Sequence, residues 1–159
     1  MSAAGLRAEV ESFLYDYAAC LNEERFAEWP DFFDERECVY EILSRENRDL
    51  NLPAPIMGCY SHGMVRDRVA MLVKGTLTYR HMYLLHQVSN VRAVREPDGS
   101  IRAAAGLVVH QSSEEGVPSL YIVGRYQARL RSVAGGFRIV KMEVILDSFG
   151  IDTMLAVPL

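Results

Sequence analysis

Residues Leu14–Phe33 read L-Y-D-Y-A-A-C-L-N-E-E-R-F-A-E-W-P-D-F-F. The first half closes a helix whose apolar positions, Leu6, Val10, Phe13, Leu14, Tyr17, Ala18 and Leu21, recur at helical spacing. Glu9, Glu11, Asp16 and Glu23 fall between them, so one buried stripe faces one wet one. The helix ends near Asn22. A second short turn follows at once, with Phe26, Trp29, Phe32 and Phe33 crowded together and Pro30 placed to start or stop a short helix. Such a stretch reads as a helical lid over a large apolar surface, and the remaining chain must supply that surface.

It does so after Leu84, where the apolar period changes from helical to two. Glu96-Pro97-Asp98-Gly99, Glu114-Glu115-Gly116 and Ala134-Gly135-Gly136 mark three hairpin turns. Between Val117 and Ser132, Leu120, Ile122, Tyr126, Ala128 and Leu130 are assigned to one face, and Arg125, Gln127, Arg129 and Arg131 to the other. From Phe137 onward Val140, Met142, Val144 and Leu146 alternate with Lys141 and Glu143. One buried and one wet face is the pattern of an antiparallel sheet. Strands this long twist strongly, and Ala103-Ala104-Ala105-Gly106 is the expected bend. Between the two regions, Cys38–Leu43 reads as a strand, the polar, proline-rich Ser44–Pro55 as a loop, and Gly63–Val73 as a helix. The expected fold class is α+β: a cone-shaped, curved antiparallel sheet wrapped around N-terminal helices, in one domain spanning 1–159 (helices in 3–73 with a short strand 38–43, a meander over 84–147, a tail over 148–159).

Composition fits this. The 159 residues are 50% hydrophobic and 24% charged, with a net charge of −4 that argues against nucleic acid as the main partner. No apolar run approaches the roughly 18 residues of a membrane span, and the first residues lack a signal pattern, so a cytoplasmic protein without a membrane partner is expected. Cys20, Cys38 and Cys59 are odd in number and widely spaced, which suggests buried free thiols rather than a zinc site or a disulfide framework.

Chemistry is harder to find. His81 and His86 are five residues apart, about 140° around a helix or on opposite faces of a strand, so they do not converge on a metal. No H-E-x-x-H, G-x-S-x-G, phosphate loop or dinucleotide motif occurs. His86 and His110 lie in apolar strand contexts. Either could be a general base in the cone, paired with Asp16 or Asp31, or a core histidine bonded to backbone or a buried carboxylate. Tyr15, Tyr17 and Tyr60 could line a pocket or pack in the core. Arg125, Arg129, Arg131 and Arg138 form a basic stripe, either a solvated face or a partner surface. The closing S-F-G-I-D-T-M-L-A-V-P-L (Ser148–Leu159) is apolar enough that it should dock onto its own domain or a neighbouring subunit.

Six segments, in order, carry a family resemblance: F-L-Y-D-Y-A-A-C-L-N-E-E-R-F-A-E-W-P-D-F-F (Phe13–Phe33), C-V-Y-E-I (Cys38–Ile42), S-R-E-N (Ser44–Asn47), R-D-R-V (Arg66–Val69), H-Q-V-S-N-V (His86–Val91) and D-T-M-L-A-V-P-L (Asp152–Leu159). Together they resemble the small (β) subunit of Rieske-type aromatic-ring-hydroxylating dioxygenases. The resemblance implies a nuclear-transport-factor-2-like (NTF2-like, cystatin-like) fold and a non-catalytic, assembling role, with no catalytic, cofactor or metal residue in this chain. The implied partner is a large (α) subunit carrying the Rieske [2Fe-2S] cluster and a mononuclear Fe(II). Self-association within a three-plus-three (α3β3) hexamer is implied, as is a one-ring aromatic acid of the benzoate, anthranilate, salicylate or terephthalate kind as substrate of the whole enzyme. One departure stands out. Relatives often carry arginines before the histidine of the V-S-N strand, where this chain has Tyr83 and Leu85 in M-Y-L-L-H; Arg80-His81 is the candidate substitute. The competing readings are a stand-alone dehydratase or isomerase using His86 or His110, or a small-molecule binding module.

Overall fold

The computed structural model describes residues 2–75, 80–148, 150–151 and 155–159. Helix α1, Ala3–Asn22, starts where the Ser2 hydroxyl accepts the Gly5 N–H at 3.1 Å, satisfying one of the free donors of the first turn. It buries Leu6, Val10, Leu14, Tyr17, Ala18, Cys20 and Leu21, and it lies mainly along strand β3, Tyr83–Arg95. Glu24, at φ +55°, turns the chain into a 3-10 helix, Phe26–Phe32, that includes Pro30. The aromatics of this pair meet edge-on: Phe13 on Phe32 at 5.7 Å, Tyr17 on Phe32 at 5.5 Å, Trp29 on Phe33 at 5.0 Å and Trp29 on Tyr40 at 5.2 Å between ring centres.

The remaining strands are β1 (Val39–Ser44), β2 (Met57–Cys59), β4 (Ile101–Ser112), β5 (Pro118–Val133) and β6 (Gly136–Leu146). They form one sheet in the order β2-β1-β6-β5-β4-β3, curved and unclosed. Four of its five pairings are antiparallel; β1 runs parallel to β6, with Val39 opposite Lys141 and Ser44 opposite Leu146. The parallel pair, extended by a parallel bridge between Phe33 and Ile139, departs from the antiparallel sheet expected, and the order of elements permits it. A strand that precedes the meander can reach its last strand only by a crossover, not a hairpin. Helix α3, His62–Val73, capped by Ser61, buries Val65, Val69 and Leu72 and packs on the 3-10 helix.

Three bulges shape the sheet, and two of them correct the strand pattern. Between β4 and β5 the register passes from Val109 opposite Ile122 to His110 opposite Leu120, so Tyr121 is extra. Leu120 therefore leaves the buried face it was assigned to and stands 59% exposed. Between β5 and β6 the register skips Val140, so the inner-facing set is Phe137, Ile139, Met142, Val144 and Leu146. The third bulge does lie at Ala103–Gly106, but the extra residue is on the opposing strand. Asn90 and Val91 of β3 sit between the Ser89–Gly106 and Arg92–Ala104 pairs, with Asn90 at φ +55°. A side chain at Gly124 would collide with the Ile145 carbonyl oxygen, so its absence lets β5 and β6 close tightly there. The polar segment Ser44–Pro55 is not all loop. Ser44 accepts the Asn47 N–H at 3.1 Å and starts helix α2, Arg45–Asp49.

Candidate functional site

The inside of the cone holds the chain's own closing segment. Pro158 and Leu159 are buried, Leu159 completely. The Leu159 carbonyl oxygen accepts from the Tyr17 hydroxyl at 3.1 Å and from the Tyr40 hydroxyl at 3.1 Å, and the Leu159 N–H donates to Tyr40 Oη at 2.9 Å. Two phenols thus fill both lone pairs of one carbonyl. Burial pushes both hydroxyls well above the usual phenol range, so they act as neutral donors. Of the two docking places expected for the tail, its own domain is the one occupied by Leu155–Leu159. Phe149 and Asp152–Met154 lie outside the described residues.

His86 belongs to this interior and His110 does not. His86 is 4% exposed and lies opposite Val109 on the inner face. Its N–H and its Nδ1 both lie against Asn22 Oδ1, at 2.6 Å and 2.8 Å, and Asn22 Nδ2 donates to the His86 carbonyl at 3.3 Å. The ring then donates from Nδ1 and leaves Nε2 as a bare acceptor, without a partner among the described residues. Burial lowers its pKa from 6.5 to about 4, opposed only by the nearby Pro158 carbonyl. A ring in this state is held by Asn22, not by a carboxylate. His110 lies opposite Leu85 on the outer face, so the sheet itself separates the two histidines.

The proposed acid partners also lie outside the interior. Asp16 and Asp31 are exposed and line an open groove of about 600 Å³, with Glu9, Phe13, Phe32 and Arg138, beside the β5–β6 turn. His81 Nε2 pairs with Glu24 at 2.6 Å and His62 Nε2 with the Pro30 carbonyl at 3.0 Å. Tyr15 and Tyr60 are exposed and bonded to Glu11 and Glu41, so of the three tyrosines named only Tyr17 lines the interior. The cysteines are free and buried, and burial pushes the Cys20 and Cys38 thiols up to about 11. Among the described residues no three His, Cys, Asp or Glu side chains gather as a metal site, and no helix is long and apolar enough to cross a membrane.

Sequence reasoning missed Asn22 and Tyr40. Asn22 carries no signal beyond its place at the end of α1, and its partner is 64 residues away. Tyr40 could have been suspected as the polar tip of an otherwise apolar strand.

The outer face divides in two. Across β1, β6 and β5 it is a ladder of charges: Arg125 and Arg45 share Asp147, at 2.9 Å and 3.1 Å; Arg129 meets Glu37 at 2.5 Å; Arg131 reaches Asp34 at 2.6 Å and Glu37 at 3.1 Å. Burial raises the Asp34 pKa, but the Glu37 and Arg36 N–H groups and Arg131 outweigh it and hold the carboxyl below its usual value. The arginine stripe is thus engaged within the chain. Arg80 and His81 are too, on Glu115 and Glu24. Toward the Tyr83 end of β3, and across the facing parts of β4 and β5, exposed apolar side chains replace the ladder, with His110 and Gln87 among them. The register sets Leu85, His110 and Leu120 in one row and Gln87, Val108 and Val123 in the next, with Tyr83 beyond; Tyr83, Leu85 and Leu120 are each more than half exposed.

A family model described as "Ring hydroxylating beta subunit" matches residues 17–153. The small subunit of anthranilate 1,2-dioxygenase from Burkholderia cepacia is 34% identical over 143 residues, 90% of this chain and 88% of that one. The chain belongs to this family. A terminal oxygenase beta subunit of terephthalate 1,2-dioxygenase from Comamonas sp. is 24% identical over 95% of this chain and 97% of its own length. Among solved structures, a chain assigned as the beta subunit of an aromatic-ring-hydroxylating dioxygenase from Novosphingobium aromaticivorans superposes with a TM-score of 0.88 at 30% identity, covering 99% of both chains. As a small subunit of a ring-hydroxylating dioxygenase, the protein has an oxygenase large subunit as its partner, and the stand-alone dehydratase or isomerase reading loses its footing.

Proposed function

We propose that this small subunit performs no chemistry of its own and serves to build and hold the oxygenase, probing no substrate with its histidines. The observation that carries this reading is the closed interior: a neutral His86 tied to Asn22, His110 on the far side of the sheet, and the cone filled by Leu155–Leu159. The large subunit supplies the Rieske [2Fe-2S] cluster and the mononuclear iron, the assembly is a three-plus-three hexamer, the substrate is a one-ring aromatic acid, and the compartment is the cytoplasm. The names of the anthranilate and terephthalate relatives support the substrate class. The exposed apolar patch of Tyr83, Leu85, Leu120 and Val123 is the outer surface assigned to a neighbouring subunit, since large apolar patches are seldom left to water.

Co-expression with a candidate large subunit, followed by native mass measurement and iron analysis, tests this. The expected result is one complex with iron only in the large chain. Leu85→Glu combined with Leu120→Glu should abolish the complex while the small subunit keeps its melting temperature. A monomeric small subunit beside the large one at micromolar concentration, or turnover by the small subunit alone that His86→Ala removes, overturns the reading.

A further inference from the structure

The closing segment does not satisfy the cavity it fills. Around Pro158 and Leu159 three buried polar atoms lack hydrogen-bond partners among the described residues: Trp29 Nε1, Tyr126 Oη and His86 Nε2. They belong to one place. Trp29 Nε1 faces the Tyr17 hydroxyl without a closed bond, the Tyr126 ring stands edge-on to Tyr17 at 5.9 Å, and His86 faces the Pro158 carbonyl. Trp29 offers a donor and Tyr126 either role, while His86, with Nδ1 committed to Asn22, offers an acceptor. Leaving such groups unpaired in a dry interior is costly, and native interiors rarely do it. The segment brings one carbonyl and one N–H to the two phenols and turns the Pro158 carbonyl toward His86, but meets Trp29 and Tyr126 with no bonded polar group. A core packed for stability alone would place phenylalanine at Tyr126.

We propose that the cone interior is a ligand-binding site, for a small molecule that joins a carbonyl or carboxylate oxygen and a hydrogen-bond donor to a flat apolar body, and that Leu155–Leu159 is the segment that occupies it in the ligand's absence. The oxygen takes the place of the Leu159 carbonyl between Tyr17 and Tyr40. The donor group goes to His86 Nε2. The apolar body lies among Tyr126, Trp29 and Phe33, whose edge-on rings suit an aromatic ring better than an aliphatic chain. This site is additional to the assembling role and needs no reaction. Its consequence is local: ligand entry must release Leu155–Leu159, so binding and the position of the segment are coupled. Because a tethered segment competes at an effective concentration in the millimolar range, the intact chain binds such a ligand weakly.

The test uses the whole chain of residues 1–159 with Leu155–Leu159 made small and polar (Leu155→Gly, Ala156→Ser, Val157→Gly, Pro158→Ser, Leu159→Gly). Benzamide, benzoate and toluene are the probes. Trp29, the one tryptophan of the chain, reports on the interior by its emission. The expected result is a saturable change in Trp29 emission and a higher melting temperature with benzamide, a smaller effect with benzoate, and none with toluene. In the unsubstituted chain, half-saturation should need at least ten times more benzamide. Adding Tyr17→Phe and Tyr40→Phe to the five-residue variant should remove the effect. The proposal is overturned by no saturable response in the variant, by toluene matching benzamide, by a response that survives loss of both hydroxyls, or by equal binding in the unsubstituted chain. Should the variant not fold alone, it is refolded from urea with and without benzamide. Native Trp29 emission only with benzamide supports the site, and no recovery overturns it.

Discussion

The inner and outer faces of the sheet divide the polar work differently. Inside, polar atoms are few and buried, and those that bond do so to specific partners: Tyr17 and Tyr40 to Leu159, Asn22 to His86. Outside, charges are many, half-exposed and shared, as Glu37 is between Arg129 and Arg131. A hydrogen bond in a dry interior is worth more, and its loss costs more, than an ion pair in contact with water. The comparison teaches that the number of polar contacts on a face says little about what that face contributes. Substitutions on the two faces should therefore differ in size, in salt dependence and in pH dependence.

The largest expected effect comes from His86 and appears without any substitution. Burial holds its pKa near 4 against 6.5 in the unfolded chain. Between those values the unfolded chain takes up a proton that the folded chain refuses, so stability is complete above pH 6.5 and falls as pH drops toward 4. A shift of this size corresponds to roughly 3 kcal/mol. Asp34 acts in a different window, because its pKa is lowered: its contribution is present above its ordinary value of 3.8 and lost only as pH falls further. Urea unfolding at pH 7.5, 6.5, 5.5 and 4.5 should show the His86 slope, and His86→Gln should flatten it. A wild-type curve flat from 7.5 to 4.5 would mean that the interior is wet and the comparison of faces is wrong.

How much of this was legible beforehand depends on which residues must be known together. The helical stripe of α1 and the turns at Gly99 and Gly116 are local facts, and the sequence carried them; both glycines sit at positive φ, at +83° and +77°. The apolar composition of the closing segment pointed to docking. What period two could not show were the bulges at Tyr121 and Val140, because one inserted residue reverses the facing of everything on one side of it, and no residue type announces the insertion. Leu120 consequently changed from a core residue to part of the exposed outer patch. The pairing of Asn22 with His86 was illegible for another reason: it depends on how α1 lies across β3, a tertiary fact between distant positions.

A middle-sized effect tests the interior against itself. Tyr40→Phe removes one donor from the Leu159 carbonyl and strands the Leu159 N–H, which should cost about 1–3 kcal/mol. Tyr126→Phe removes a hydroxyl with no partner among the described residues and should be neutral or slightly stabilising. Both rings are buried and both substitutions delete one oxygen, so packing changes nearly cancel in the comparison. Denaturant unfolding of the two variants gives the difference directly. Equal costs would show that burial, not hydrogen bonding to the closing segment, sets the worth of these tyrosines.

The smallest effect belongs to the outer ladder. Arg129 and Glu37 meet at 2.5 Å, yet their side chains are 47% and 50% exposed. Water and salt screen such a pair, and holding two long side chains in place costs entropy, so Arg129→Ala should cost about 1 kcal/mol or less. Glu37 complicates a single substitution because it also binds Arg131, which can take over its charge when Arg129 is gone. A double-mutant cycle over Arg129→Ala and Glu37→Ala isolates the pair, and repeating it in about 0.5 M salt should bring the coupling close to zero. A coupling that persists in high salt and rivals the cost of Tyr40→Phe would show that the ladder acts as a rigid, water-excluding network. The outer face across β1, β6 and β5 would then hold the sheet as firmly as the interior does.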